Sequence, residues 1–278
     1  VHISSAIASG YKYMLIVTSD EAKARKMCDD ASFFNKEAIY YPAKDAIFYS
    51  ADVHGNQITG ERLRCISRII NHSSTGEGVL TVVTTMDGIA DRLIPVERFK
   101  EAVITLDYSS EIEPEKLAKK LVAMGFVRTG MVEDKGQFAI RGGIIDIFSY
   151  TDEAPVRIEL WDTEVDSIRM FDVESQRSIE RLQSYSIFPA TEYIFTEDEL
   201  KNGLYNIKKE CDRQLECFDY GKRKRTKEQI EAGNNLNKLV ADVERTGNYE
   251  KFTDTIVADT VGLAEYFPEE NTLVVLDE

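Results

Sequence analysis

In the hexapeptide Val156-Arg157-Ile158-Glu159-Leu160-Trp161 every second residue is aliphatic, with Arg157, Glu159 and Trp161 between and after them. In an extended strand successive side chains point to opposite faces, so Val156, Ile158 and Leu160 face a core while Arg157, Glu159 and Trp161 share the other side. That second face holds the only tryptophan of the chain, four residues after an arginine. Tryptophan and arginine are enriched at binding hot spots because each joins a large contact area to a fixed polar geometry. The chemistry on offer is recognition of another surface. Upstream, Phe138 and Ile140 alternate with Ala139 and Arg141, just before Gly142-Gly143. The double glycine marks a bulge or a close backbone approach. If the two strands are neighbours, Arg141 joins Arg157 and Trp161 in one patch. The competing arrangement has Trp161 closing the domain edge against Phe171 or a helix, with Arg157 paired to Glu159 or Asp166.

A second candidate closes the sequence. Thr272-Leu273-Val274-Val275-Leu276-Asp277-Glu278 has the form of a Walker B element, in which an acidic residue at the carboxyl edge of a strand holds Mg²⁺ beside a nucleotide. Its partner, G-x-x-x-x-G-K-[ST], occurs nowhere in the chain. Without that loop there are no backbone N–H groups and no lysine to cradle phosphates. Asp277 and Glu278 therefore read as a degenerate Walker B-like pair, with an ordinary buried strand and a polar exit as the alternative. There is no nucleophile elbow and no His-x-x-x-His, and the carboxylates have no spacing that singles out an acid/base pair. Cys28, Cys65, Cys211 and Cys217 lack Cys-x-x-Cys spacing, and His2, His54 and His72 are scattered among polar neighbours. Reduced structural thiols are expected, with no catalytic residue, no metal and no cofactor.

The formal charge of −15 weighs against a dedicated nucleic-acid binder. The basic run Lys222-Arg223-Lys224-Arg225 reads as a solvated face, with DNA contact as a weaker third reading. Apolar runs such as Met14 to Val17 are far shorter than a bilayer span, and no secretion signal opens the sequence, so the expected location is the cytoplasm. Both ends read as cut from a longer chain. The residues before Val1 would decide whether a phosphate loop stands there.

The elements that must position these residues fall into three stretches. From 1 to about 100, strand and helix signals alternate, as in a parallel sheet covered by helices. Tyr13 to Val17 is a doubly buried strand. Thr18-Ser19-Asp20-Glu21 supplies a capping box, and Ala24, Met27, Cys28 and Ala31 form one helical stripe. Ala38 to Tyr41 is a strand, followed by a helix across Glu61 to Ile70, a strand at Val79 to Val83 and a short helix from Asp87. Glu113-Pro114 then opens a helix with Leu117, Leu121 and Met124 on one side and Gly125 as its stop. Strands are expected at Phe126 to Val132, Gln137 to Phe148, Val156 to Trp161, Glu164 to Phe171 and Ile179 to Phe188. One helix followed by a strand meander is an α+β insert. Thr196 and Glu199 cap a helical stretch, and Thr272 to Asp277 reads as a fourth parallel strand returning to the first sheet.

Several stretches together resemble the amino-terminal region of bacterial transcription-repair coupling factors. They are Tyr41-Pro42-Ala43-Lys44-Asp45 with Phe48 to Asp52, Phe138-Ala139-Ile140-Arg141-Gly142-Gly143 through Phe148, and Val165 to Arg169 through Phe171-Asp172-Val173-Glu174-Ser175-Gln176-Arg177-Ser178. The resemblance implies an α/β fold: a degenerate, RecA-like parallel-sheet domain similar to UvrB domain 1, interrupted by an inserted α+β domain with an antiparallel sheet similar to UvrB domain 2. It places domain 1a at 1–101, the insert at 102–188 and domain 1b at 189–278. In this family the insert binds the damage-recognition protein UvrA through an arginine before a glycine, a second arginine sixteen positions on and an aromatic four further. Arg141, Arg157 and Trp161 stand at those positions, with Trp161 where phenylalanine is familiar. The implied role is a non-catalytic module that recruits UvrA to stalled RNA polymerase. The parent's ATP-driven translocation, and its contacts with RNA polymerase and DNA, would lie in other regions, and a carboxyl-terminal domain of the parent is a candidate for masking the UvrA surface. The alternative is a fragment of UvrB itself, binding nucleotide and DNA; the missing phosphate loop and the lack of a tyrosine-rich hairpin after Tyr41 count against it.

Overall fold

The computed structural model describes residues 10–34, 38–44, 52–75, 78–218, 226–246, 256–257 and 259–277. Lys222 to Arg225 and Glu278, singled out above, lie outside the described residues. The chain divides into two compact units, residues 1–194 with 261–278, and residues 195–260.

The first unit opens with strands β1 (Tyr13–Thr18), β2 (Ala38–Tyr41) and β3 (Leu80–Thr85). Every residue of β1 and β3 is buried, as expected of strands covered on both faces. One face packs Tyr13, Leu15, Val17, Leu80 and Val82 against Leu63, Ile66 and Ile69 of helix Asp52–Thr75. The other packs Met14, Ile16 and Val83 against Ala24, Met27 and Cys28 of helix Glu21–Phe34. The helical stripe is as the spacing predicts, but the cap is not. The Lys23 amide donates to Asp20 Oδ1 at 2.8 Å and the Ala24 amide to the Asp20 carbonyl, so Asp20 is the N-cap rather than Thr18. Thr18 instead ends β1, fully in the sheet.

Strand β4 (Arg92–Leu93) follows the short helix Met86–Ala90, and β5 (Ile104–Asp107) leads into the second sheet. That sheet contains β6 (Val127–Arg128), β7 (Gln137–Arg141), β8 (Ile144–Phe148), β9 (Val156–Trp161), β10 (Glu164–Phe171) and β11 (Ser178–Arg181), in the order β11-β10-β9-β8-β7-β6. All neighbours are antiparallel except β6 and β7. Helix Pro114–Ala123 lays Leu117 and Leu121 against the inner face, with Phe138, Ile145, Ile147, Val156, Ile158 and Ile168. It stops where Gly125 takes φ +87°, a conformation that suits glycine, with its Cα facing Thr191 so closely that a Cβ would lie 2.8 Å away. Strand β12 (Ser184–Ile187) leaves this sheet and pairs antiparallel with β5, which brings the entry and exit of the inserted stretch to one place.

Three expected strands differ in extent. Gln137 to Phe148 is two strands, because Gly142 at φ +63° turns the chain back on itself. The double glycine is thus a hairpin turn rather than a bulge, and the close approach is also present: a Cβ on Gly143 would lie 2.9 Å from the Leu160 carbonyl oxygen. Ile179 to Phe188 likewise splits, between β11 and β12 in different sheets. Only Val127–Arg128 of the stretch from Phe126 to Val132 pairs as a strand.

Strand β13 (Val261–Gly262) pairs with β4, and β14 (Thr272–Asp277) returns parallel to β1, giving the order β14-β1-β3-β2. The fourth parallel strand is therefore where its apolar pattern puts it. The second unit holds helices Glu197–Phe218 and Lys227–Thr246, with Ile207, Cys211, Ile256 and Val257 at its core. Thr196 and Glu199 form the expected capping box: the Glu199 amide donates to Thr196 Oγ1 at 3.2 Å and the Thr196 amide to Glu199 Oε2 at 2.8 Å. Among the described residues, no helix is long and apolar enough to cross a membrane.

Within the first unit, a buried charge cluster ties the parallel sheet to the chain leaving the insert. Arg62 is 0% exposed. It donates from Nε and Nη2 to the two oxygens of Glu192 at 2.5 and 3.0 Å, and from Nη1 to Asp91 Oδ2 at 2.6 Å and the Pro42 carbonyl at 2.7 Å. Its guanidinium lies over the Tyr41 ring, 4.3 Å from the centroid. Lys44 adds a second cation 2.9 Å from Glu192 Oε2 and bonds the Tyr193 hydroxyl. Burial pushes the Glu192 carboxyl up, but Arg62 and Lys44 outweigh it and hold the group down, from 4.5 to about 2. Above about 4.5 the carboxylate is ionised whether folded or not, and its contribution is complete. As pH falls the unfolded chain takes up the proton first, so stability drops steadily and this contribution is gone by about pH 2. Urea midpoints measured between pH 7 and pH 3 are expected to fall below pH 4.5, with a shallower fall in Glu192→Gln.

Candidate partner-docking face

The outer face of the antiparallel sheet carries all three residues read from the strand pattern. Register sets their places. Arg157 of β9 stands opposite Asp146 of β8, Glu159 opposite Ile144, and Arg141 of β7 opposite Ile144 from the other side. Strands β7 and β9 are therefore not neighbours; β8 lies between them, and its Asp146 is what unites the two arginines. Arg157 donates from Nε to Asp146 Oδ1 at 2.6 Å and from Nη2 to Oδ2 at 2.9 Å, while Arg141 Nη2 reaches the same Oδ2 at 2.6 Å. The Asp146 side chain is 1% exposed, those of Arg157 and Arg141 are 11% and 42%. One buried carboxylate thus anchors two cations, a charge-assisted fork that fixes both guanidinium groups.

Arg157 is held from every side. Its Nη2 also donates to Gln176 Oε1 at 2.8 Å, and its guanidinium stacks on Phe171 at 4.3 Å from the ring centroid. Gln176 adopts φ +57°, unusual for a residue with a side chain, and its Nε2 donates to the Val173 carbonyl at 2.8 Å. Hydrogen bonding to Asp146 raises the Arg157 pKa above its ordinary value, so the charge is permanent. The pairings with Glu159 or Asp166 that the sequence left open are not formed. Glu159 accepts instead from Arg169 Nη2 at 2.5 Å and Ser167 Oγ at 2.7 Å.

Trp161 ends β9 opposite Glu164 and is 79% exposed. It does not close the domain edge against Phe171, whose ring is taken by Arg157. Burying an indole of this size would remove roughly 150–250 Å² of surface from water, a strong incentive for a partner to cover it. The face therefore presents an uncovered aromatic together with two arginines held on a shared carboxylate. Asp146 and Gln176 escape a reading of spacing alone: Asp146 sits between Ile145 and Ile147 and looks like an interruption in a core strand, and Gln176 lies in a turn.

A family model described as the UvrB interaction domain matches residues 104–193, a span that contains every residue of this face. The transcription-repair-coupling factor of Bacillus subtilis (strain 168) is 34% identical over 278 residues, taking in 96% of this chain. The chain belongs to the transcription-repair-coupling factor family. Other transcription-repair-coupling factors agree, at 34% identity over 222 residues and 77% of this chain in Staphylococcus aureus (strain Mu50 / ATCC 700699), and 34% over 223 residues and 80% in Staphylococcus haemolyticus (strain JCSC1435). The chain spans only about a fifth of the length of these transcription-repair-coupling factors: 22%, 18% and 19%.

The second candidate is placed differently. Asp277 ends β14 beside Thr18 of β1, at the carboxyl edge of the parallel sheet, and its Oδ2 lies 2.9 Å from Lys23 Nζ. Its carboxylate is thus engaged by a lysine of the helix that follows β1.

Proposed function

We propose that this chain is a docking module for UvrA, serving transcription-coupled nucleotide excision repair without catalysis of its own. Arg141, Arg157 and Trp161 are the contact residues, with Asp146 and Gln176 holding the arginines. The observation that carries the reading is the exposed Trp161 on the same sheet face as two arginines held on one buried carboxylate, inside the span matched by the UvrB interaction domain model. Arginines already fixed on a carboxylate lose little conformational entropy on binding, which favours affinity. The work is done in the cytoplasm and needs no cofactor in this segment. RNA polymerase and DNA are engaged by other regions of the parent, which is a DNA translocase, and the face is a candidate for masking by a carboxyl-terminal domain there.

The reading predicts that the purified chain competes with UvrB for UvrA, because both would present a similar insert to one site. A titration of labelled UvrA–UvrB complex with this chain is expected to displace UvrB. Formation of a stable three-protein complex would show that the chain docks elsewhere.

A further inference from the structure

We propose that the docking face extends beyond β9 along a row of arginines that crosses the sheet, and that the surface it meets is an acidic region of a protein. This rests on the docking reading above. The register sets Arg157 of β9 opposite Arg169 of β10, and Arg169 opposite Arg181 of β11. Residues directly opposed on neighbouring strands share a face, and like charges in that relation are mutually destabilising. Two of the three are compensated: Arg157 by Asp146 and Arg169 by Glu159. Arg181, exposed on the edge strand, pairs with no carboxylate among the described residues.

A chain with a formal charge of −15 thus lines up three cations on the one face that also bears Trp161. The uncompensated member is the outermost, where an incoming group would meet it first. Arginine forks match carboxylates in two-point geometry, which a protein surface rich in aspartate and glutamate supplies. A nucleic acid fits less well. A phosphate backbone is held by several free cations at once, and here Arg157 and Arg169 are already engaged by Asp146 and Glu159, which leaves Arg181 to meet a single carboxylate.

The test is a titration of purified UvrA with the intact chain and with Arg181→Glu, Arg181→Lys and Trp161→Ala, at low and at moderate salt. Arg181 is exposed on an edge strand, so reversal of its charge leaves the core untouched; thermal melts followed by circular dichroism check this. Arg181→Glu is expected to weaken binding about tenfold at low salt and to flatten the salt dependence, while Arg181→Lys, which keeps the charge and loses the two-point geometry, is expected to fall between Arg181→Glu and the intact chain. Unchanged affinity in Arg181→Glu, with binding lost in Trp161→Ala, overturns the extension and leaves the docking reading standing. Absence of UvrA binding by the unmodified chain overturns the docking reading itself. A short DNA duplex serves as the counter-probe: salt-dependent binding to it that Arg181→Glu abolishes would overturn the assignment to an acidic protein.

Discussion

Glu192→Ala is expected to destabilise the first unit by about 3–5 kcal/mol, the largest effect of any single substitution considered. The change leaves the Arg62 guanidinium, with no exposed surface, facing a gap where two oxygens stood at 2.5 and 3.0 Å. Asp91 remains, but it meets only Nη1. A buried charge stripped of its main partner is far costlier than a pair removed together, because the desolvation of the survivor is no longer offset. The double substitution Arg62→Met, Glu192→Leu is therefore expected to recover most of the loss. Urea unfolding followed by circular dichroism gives the comparison, with amide exchange in β1 and β3 reporting on the sheet itself. A loss below roughly 1 kcal/mol in the single variant would mean that water reaches Arg62, contrary to its burial here.

Asp146→Ala is expected to act on both stability and docking. It removes the carboxylate that Arg157 meets twice and Arg141 once. The stability cost is expected to be roughly 2 kcal/mol, below that for Glu192, because the half-exposed Arg141 side chain turns to water and Arg157 keeps Gln176 and Phe171. The effect on binding is larger in proportion. Two arginines freed from a shared anchor regain the rotamer freedom that docking must then remove again, at roughly 0.5–1.5 kcal/mol for each side chain. UvrA affinity is expected to fall even though no proposed contact residue has been touched. Asp146→Asn, which keeps the shape and loses the charge, is expected to lie between wild type and Asp146→Ala in both assays. Affinity unchanged in Asp146→Ala would show that the arginines are positioned by something other than this carboxylate.

The elements with a strong local period were legible from the residues. Strands β9 and β10 begin and end where their patterns do, and the apolar runs at Tyr13 to Val17 and Thr272 to Leu276 are neighbours in one parallel sheet. Boundaries failed where the apolar signal ran through a turn. The apolar residues resume beyond Gly142-Gly143, and a glycine pair there suits a bulge as well as a turn; the positive φ of Gly142 is what separates β7 from β8. The cap at Asp20 was hidden by a Thr-Ser-Asp run in which each residue is a good cap. For the site, alternation placed Arg157 and Trp161 on one face, and register placed Arg141 there too. The residue that unites the arginines was not legible, since Asp146 meets Arg157 only through strand pairing. The Arg62 cluster draws on positions 42, 44, 91 and 192, separations that no local pattern encodes.

The proposed contact with UvrA is one sheet face bearing Arg141, Arg157 and Trp161. Its most direct test is a calorimetric titration of purified UvrA with the wild-type chain and with the Arg157→Ala, Trp161→Ala double variant, both checked for intact secondary structure. Measurable binding is expected of the wild type, with a loss of at least roughly 2 kcal/mol, about thirtyfold or more in affinity, in the double variant. Binding of the folded double variant with wild-type affinity would contradict the proposed contact.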